Sequence, residues 1–174
     1  MDDLFQKWKD KVPNYSKKFK DLFNSISAKG GAEGDKKISL GKHFSTNYEL
    51  YIYAFFIGLY NNEHSPIPNE EKKINFSHHI RFWGNKSNRF DREDFSQIQE
   101  YIFTALIAKT DIDLIELDKG TISENEAVKE LLLTLEAYTN GGLTLIKEKL
   151  EDNSNFFLQP TAFIDFMISE FSKK

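Results

Sequence analysis

The stretch YELYIYAFFIGLY, residues 48–60, decides the fold, because it is the most apolar segment of the chain and only Glu49 interrupts it. Its 13 residues are too few for a bilayer-spanning helix, which needs about 20. A helix that is apolar on all sides is normally buried within a protein. We therefore predict that this segment is the buried central helix of the domain.

Sequence signals on both flanks delimit this helix. Thr46 and Glu49 form the T-x-x-E pattern of a capping box, with Ser45 as a competing cap. Pro66 and Pro68 predict a loop over residues 61–69, since the residue before a proline avoids helical geometry.

Other segments also carry helical spacing of apolar residues. Residues 91–110 and 123–140 are predicted helices, the second with a capping box of Ser123 and Glu126. The run Asn140-Gly141-Gly142 is expected to close that helix, so that a new helix starts at residue 143. A last helix is predicted over residues 161–171. Residues 76–83 are either a short helix or extended, and residues 111–118 are either a strand or a single turn. The fold class is thus predicted to be all-α, a single-domain compact bundle of about six to seven helices.

The N-terminal region has its own apolar pattern, with alternating spacings of three and four residues that form the seam of an amphipathic helix. The seam consists of Phe5, Trp8, Val12, Tyr15, Phe19, Leu22 and Ile26. Lysines lie off the seam, and Pro13 predicts a kink or two short helices near residue 12. We predict a basic, amphipathic helical arm over residues 1–28, a glycine-rich flexible linker over 29–39 and a helical core domain over 40–174.

This seam has two interpretations. It packs on the protein's own core, which is the commoner use of such a stripe, or it docks onto a partner. In the second case the partner-binding residues are Phe5, Trp8, Phe19, Leu22 and Phe23.

Length and composition exclude several classes of protein. The chain of 174 residues and 20.3 kDa has the size of one domain, well below the about 250 residues of an eight-stranded α/β barrel. It has 16 Phe and no Cys, so a packed core is expected, while disulfides, cysteine zinc sites and cysteine nucleophiles are excluded. The start of the chain has no signal-peptide pattern, and a cytoplasmic location is expected.

The net charge of −4 hides an asymmetry, because residues 1–44 carry +4 and residues 93–174 carry −9. The basic half predicts a surface for an anionic ligand or an acidic partner. The densest mixture of cations and aromatic rings lies between residues 72 and 92, and the candidate nucleic-acid-binding residues there are Lys72, Lys73, Arg81, Lys86, Arg89 and Arg92. Phosphates bind such cations while bases stack on aromatic side chains. The alternative is that the rings belong to the core and the charges lie on a solvated loop.

No motif predicts catalysis, a metal or a cofactor. His78 and His79 are adjacent and do not have the spacing of metal ligands, and the acidic run from Asp111 to Asp118 lacks the glycine and the terminal glutamate of a calcium loop. Phosphate-binding glycine loops and serine nucleophile elbows are absent from the sequence. A small hydrolase that uses Asp111, Asp113 or Glu116 is therefore only the third hypothesis, and we expect no catalytic residue, no metal and no cofactor.

Two segments together resemble a known family. They are the run from Phe44 through the apolar helix to Leu59, and the run Glu136-Ala-Tyr-Thr-Asn-Gly-Gly-Leu143. In order and position they resemble the small helical accessory proteins of bacterial DNA phosphorothioation and phage-defence clusters, DNA phosphorothioation-associated protein 4. The resemblance covers residues 40–150 and implies an accessory subunit that works beside ATPases or nucleases acting on DNA, with structural roles for Gly58 and the residues from Asn140 to Gly142.

The leading hypothesis is thus a non-enzymatic adaptor that docks onto a larger DNA-processing or defence complex through protein contacts. The alternative is direct nucleic-acid binding by residues 72–92. No membrane contact is expected, and the sequence does not predict an oligomeric state.

Overall fold

The computed structural model describes residues 2–27, 43–76, 78–86, 93–159 and 161–169. In these ranges the chain is mostly helical, with seven α-helices and two short strands. The elements are α1 (Asp2–Lys9), β1 (Asn14–Ser16), α2 (Lys20–Ile26), α3 (Asn47–Asn61), β2 (Lys73–Asn75), α4 (Ile98–Ile107), α5 (Leu114–Asp118), α6 (Glu124–Asp152) and α7 (Ala162–Ser169). Short 3-10 helices cover Lys17–Phe19, Ile80–Phe82 and Phe156–Leu158. The helical class is confirmed, but the strict all-α prediction is wrong because β1 pairs with β2.

The chain divides into two compact units, each built from two separate segments. Unit 1 contains Met1–Asn14 and Asn75–Glu136, and unit 2 contains Tyr15–Ile74 and Ala137–Lys174. The predicted division into residues 1–28, 29–39 and 40–174 stays a prediction. The predicted linker, residues 29–39, lies outside the described residues, so it stays a prediction.

Helix α3 is the centre of unit 2, as the apolar run predicts. Thr46 caps it by accepting a hydrogen bond from the Glu49 amide, and the Glu49 carboxylate accepts from the Ser45 amide. The helix ends at Asn62, which adopts the left-handed conformation with φ of 56°. Most of its side chains are buried, including Leu50, Tyr51 and Phe55.

Three glycines let α3 and α6 approach until their backbones touch. A β-carbon added at Gly142 would lie 1.8 Å from the Ala54 carbonyl oxygen, and one added at Gly58 would lie 2.0 Å from the carbonyl oxygen of Tyr138. A β-carbon at Gly141 would lie 1.9 Å from the carbonyl oxygen of Glu63, just beyond α3. Only glycine fits at such positions.

This contact explains why the predicted break at residues 140–142 is wrong. Helix α6 runs unbroken from Glu124 to Asp152, through both glycines. Each glycine costs a helix about 1 kcal/mol relative to alanine. Here the loss is offset because the glycines allow a backbone approach that any side chain at position 141 or 142 would block. The Asn140 side-chain amide also donates a hydrogen bond to the Ser65 carbonyl oxygen.

The remaining elements of unit 2 pack aromatic rings together. Phe44, Tyr53, Phe157 and Phe163 form a cluster with ring centroids 5.2 to 6.2 Å apart. The predicted last helix is present as α7, and the start of this helix lies against the cluster through Phe163.

In unit 1, helix α1 packs on α4 through aromatic rings. Trp8 is fully buried, and its ring centroid lies 5.5 Å from that of Phe103 on α4. The chain leaves α1 after Lys9, and Pro13 accepts a hydrogen bond from the Phe76 amide through its carbonyl oxygen. Two short helices, α1 and α2, thus replace one long arm, as Pro13 predicts.

The capping box of Ser123 and Glu126 at the start of α6 is also confirmed.

Two further segments of unit 1 resolve the sequence ambiguities. Residues 76–83 include a 3-10 turn, Ile80–Phe82, and residues 111–118 end in the short helix α5. The predicted helix over residues 91–110, of which the structure describes residues 93–110, is present as Ile98–Ile107. Among the described helices, none has the length and apolar character that a bilayer span requires.

We predict that Gly142→Ala destabilises the protein by about 3 kcal/mol, because the new methyl group overlaps the Ala54 carbonyl and overpacking costs up to that amount. The free energy of unfolding from urea denaturation measures the effect. Asn125→Ala, at an exposed position of the same helix, is the control and should change it by less than about 0.5 kcal/mol. Equal stability of the two variants would contradict the close backbone contact.

Candidate functional site

The 3-10 turn at Ile80–Phe82 presents a cation and an aromatic ring to solvent. Ile80 and Trp83 are fully buried, and the Ile80 amide donates to the Lys11 carbonyl oxygen at 3.1 Å. In a 3-10 turn, residues three apart lie on the same side. Since Ile80 and Trp83 are buried in the core, Arg81 and Phe82 between them face outward, and the Phe82 side chain is 48% exposed.

Gln99 fixes this turn from helix α4. Its side chain is only 4% exposed, and its Nε2 donates to the carbonyl oxygens of Arg81 at 3.1 Å and Trp83 at 2.6 Å. A buried amide that satisfies two backbone acceptors is a strong constraint, because loss of either bond would leave a polar group unpaired in the core. The turn is therefore rigidly oriented on α4.

A cleft of about 460 Å³ opens beside the turn, within unit 1. Helix α1 contributes one wall, the 3-10 turn another and the first turn of α4 the third. The lining residues include Phe5, Lys9, Arg81, Ser96, Gln99 and Glu100. The volume lies in the range of small-molecule sites, about 300 to 1,000 Å³, although the lining here is more polar than in most.

The charges at the cleft are of both signs. Arg81 forms an ion pair with Asp10, and both side chains are about half exposed. The Lys9 ammonium lies 4.4 Å from the centre of the Phe5 ring, and Glu100 lies on the α4 wall. Exposed ion pairs contribute about 0 to 1 kcal/mol to stability. The ion pair between Arg81 and Asp10 is therefore readily replaced by a stronger contact.

Asp94 organises the loop that leads into α4. Its carboxylate accepts hydrogen bonds from the Ser96 hydroxyl at 2.6 Å, the Ser96 amide at 3.0 Å and the Lys86 amide at 3.1 Å. These bonds favour the charged form and lower the pKa of Asp94 to about 2, with the Ser96 hydroxyl as the largest cause.

Gly84 closes the same loop. It has φ of 76°, and a β-carbon there would lie 2.6 Å from the Phe95 carbonyl oxygen. The Phe95 amide in turn donates to the Gly84 carbonyl oxygen at 2.9 Å. The segments on either side of residues 87–92 are thus held together next to the cleft.

The two adjacent histidines lie beside the exposed ring. The His78 and His79 ring centroids are 5.8 and 6.1 Å from that of Phe82, and a His79 ring nitrogen bonds to the Asp10 carbonyl oxygen. Burial, together with the charge of His79, lowers the pKa of His78. His78 is therefore neutral at physiological pH.

The predicted nucleic-acid-binding residues are distributed over both units. Lys72 and Lys73 are exposed in unit 2, while Arg81 and Lys86 are exposed in unit 1. Arg89 and Arg92 lie outside the described residues. The structure adds two lysines that the prediction left out of this set, Lys9 at the cleft and the exposed Lys11, whose backbone binds the turn.

The predicted partner-binding residues are mostly internal. Trp8, Phe19 and Phe23 are buried in the core of their own unit, and Phe5 and Leu22 are half-buried. Trp8, Phe19 and Phe23 thus belong to the core, and a partner-binding role of the set stays a prediction. Phe5 differs from the others because it also borders the cleft.

Two of the three acidic residues of the hydrolase hypothesis, Asp113 and Glu116, make structural contacts. Asp113 caps α5 by accepting hydrogen bonds from the amides of Ile115 and Glu116, and Glu116 forms an ion pair with Lys119. Within the described part of the chain, no three His, Asp or Glu side chains group as metal ligands.

Sequence reasoning did not identify the cleft, although Gln99 carries a usable signal. It lies one residue after Ile98 and three before Ile102, on the apolar face of the helix. A polar side chain at such a register position needs hydrogen-bonding partners. Those partners come from residues 16 and 18 positions earlier in the chain, which no local pattern reveals.

Comparisons with known proteins found no similarity to this chain. No protein-family model matches the chain, and neither the curated proteins nor the solved structures contain a significant match.

We predict that Ser96→Ala raises the pKa of Asp94 from about 2 toward its ordinary 3.8, because the main hydrogen bond to the carboxylate is lost. A carboxyl group with a lowered pKa stabilises the folded loop above pH 3.8, and this contribution is lost as the pH falls toward 2. Carboxyl-carbon NMR titration measures the pKa. Thr104→Ala, at an exposed position of α4, is the control and should leave the pKa of Asp94 unchanged. An unshifted pKa in Ser96→Ala would contradict the assigned role of the hydroxyl.

Proposed function

We propose that this chain is a binding protein for single-stranded nucleic acid, and that it uses a basic surface in unit 1 made of Lys9, Lys11, Arg81, Phe82 and Lys86. The observation that carries the proposal is the exposed Phe82 ring, which the turn holds outward beside Arg81. An aromatic ring next to cations is the combination that binds an unpaired strand, since bases stack on the ring and phosphates bind the cations.

The exposure of the basic side chains supports the same proposal. Lys11, Arg81 and Lys86 are exposed, and Lys9 is half-buried. Asp10 partly neutralises Arg81 in the free protein, but an exposed ion pair of this kind is weak. A phosphate that binds Arg81 therefore displaces only a weak contact with Asp10.

Binding through phosphates has a measurable signature. Each phosphate contact on a single strand contributes about −0.7 to the slope of log K against log salt, so four cations predict a slope of about −3. Fluorescence anisotropy of a labelled oligonucleotide, measured over a series of salt concentrations, gives this slope. No binding of single-stranded DNA or RNA at low salt would overturn the proposal.

We predict that Phe82→Ala weakens oligonucleotide binding about tenfold, because stacking contributes about 1 to 3 kcal/mol per base. Anisotropy titration gives the dissociation constants. Tyr101→Ala is the matched control, since Tyr101 is an aromatic residue of the same unit, 56% exposed, that lies outside the basic surface. Equal weakening by both substitutions would show that Phe82 has no special role.

A second candidate function is the adaptor role in a DNA-processing or defence complex. Two large apolar side chains at the C-terminal end of unit 2 favour it, because Leu158 is 67% exposed and Ile164 is 62% exposed. We propose that these residues, rather than the buried seam of the N-terminal segment, contact a larger subunit of the complex.

We predict that Leu158→Glu and Ile164→Glu abolish co-purification with the proteins encoded by neighbouring genes, since a charge at an apolar contact is costly to bury. Pull-down followed by mass spectrometry measures the association. Gln159→Glu, at the exposed neighbouring position, is the control and should retain it. Retention by all three variants would exclude this contact surface.

A further inference from the structure

We infer that the cleft beside the basic surface is a pocket for one unpaired base, and that it selects bases that carry an exocyclic amino group. This inference rests on the proposed binding of single-stranded nucleic acid. It assigns the cleft a role distinct from the stacking of bases on Phe82 of the basic surface.

Gln99 supplies an acceptor. Its Nε2 donates to the two carbonyl oxygens of the turn, so the atom that remains is the carbonyl oxygen Oε1. No donor to Oε1 is found among the residues that the structure describes. Because the side chain is nearly fully buried and lines the cleft, this acceptor is held in a fixed orientation at its wall.

Glu100 supplies a second acceptor on the same wall. Its exposed side chain lines the cleft and follows Gln99 in the first turn of α4. Both acceptors favour an amino group, which donates through two hydrogens, over a carbonyl oxygen, which has none to donate. Cytosine, adenine and guanine each carry an amino group, whereas uracil and thymine have a single N–H between two carbonyl oxygens.

Phe5 and Lys9 complete the pocket. The Phe5 ring is held by Trp8 and Phe103, with centroid distances of 6.1 and 5.0 Å, so it forms a firm wall for stacking. The Lys9 ammonium now lies over this ring, a contact worth about 0.5 to 1 kcal/mol at an exposed site. A base that stacks on Phe5 displaces the flexible lysine toward the phosphate of the same nucleotide.

The test compares labelled oligo(dC) and oligo(dU) of equal length, since cytosine has an amino group where uracil has a carbonyl oxygen. Fluorescence anisotropy gives the two dissociation constants. We expect oligo(dC) to bind about tenfold more tightly, as one hydrogen bond to a charged acceptor provides. Equal binding of the two would overturn the base pocket and leave the proposed function intact, whereas no binding of either would overturn the proposed function as well.

Glu100→Ala separates hydrogen bonding from charge. Removal of a carboxylate near bound phosphates strengthens binding of oligo(dU), while oligo(dC) also loses its hydrogen bond, so that the ratio of the two dissociation constants falls close to one. Glu130→Ala, which removes an exposed acid of unit 1 outside the cleft, is the control and should preserve the ratio. An unchanged ratio in Glu100→Ala would overturn the assignment of this residue, and with it the inferred pair of acceptors.

Discussion

The backbone contact between α3 and α6 is the constraint on which unit 2 depends. Where two helices meet through side chains, a substitution changes the packing locally and neighbours adjust. Here the atoms in contact are carbonyl groups and glycine α-carbons, which have no rotamers to change. The apolar residues of α3 then pack on either side of a fixed crossing, and Asn140 fastens the loop that follows α3 through Ser65.

Sequence patterns predicted the parts of the fold that depend on neighbouring residues. The caps at Thr46 and Ser123 follow from a spacing of three residues, and the break at Pro13 follows from its missing amide hydrogen. The glycine pair of α6 gives a wrong prediction because its partners, Glu63 and Ala54, lie far away in the chain. Without those partners, Asn-Gly-Gly is a sound signal for a helix end, whereas in this structure left-handed residues follow α3 at Asn62 and α5 at Gly120.

The candidate site, too, is predicted only where it depends on local sequence and not on distant contacts. Arg81 is identified from composition, within a stretch that mixes cations and aromatic rings, and composition depends only on the residues themselves. Lys9 and Gln99 are not identified in this way, because their places beside the turn come from the folding of α1 and α4 around it. The aromatic residues of the N-terminal segment were open to two interpretations, and the burial of Trp8 and Phe23 assigns these two rings to the interior.

The discontinuity of unit 1 has a consequence for synthesis on the ribosome. Trp8 packs against Phe103, which is made about 95 residues later. At translation rates of about 5 to 20 residues per second, the apolar side of α1 stays without its partner on α4 for about 5 to 20 s. During that interval the lysines at positions 7, 9 and 11 and the aspartates at positions 2, 3 and 10 lie among the apolar residues and protect this stretch from aggregation. These charged side chains thus serve the unfinished chain as well as the finished one.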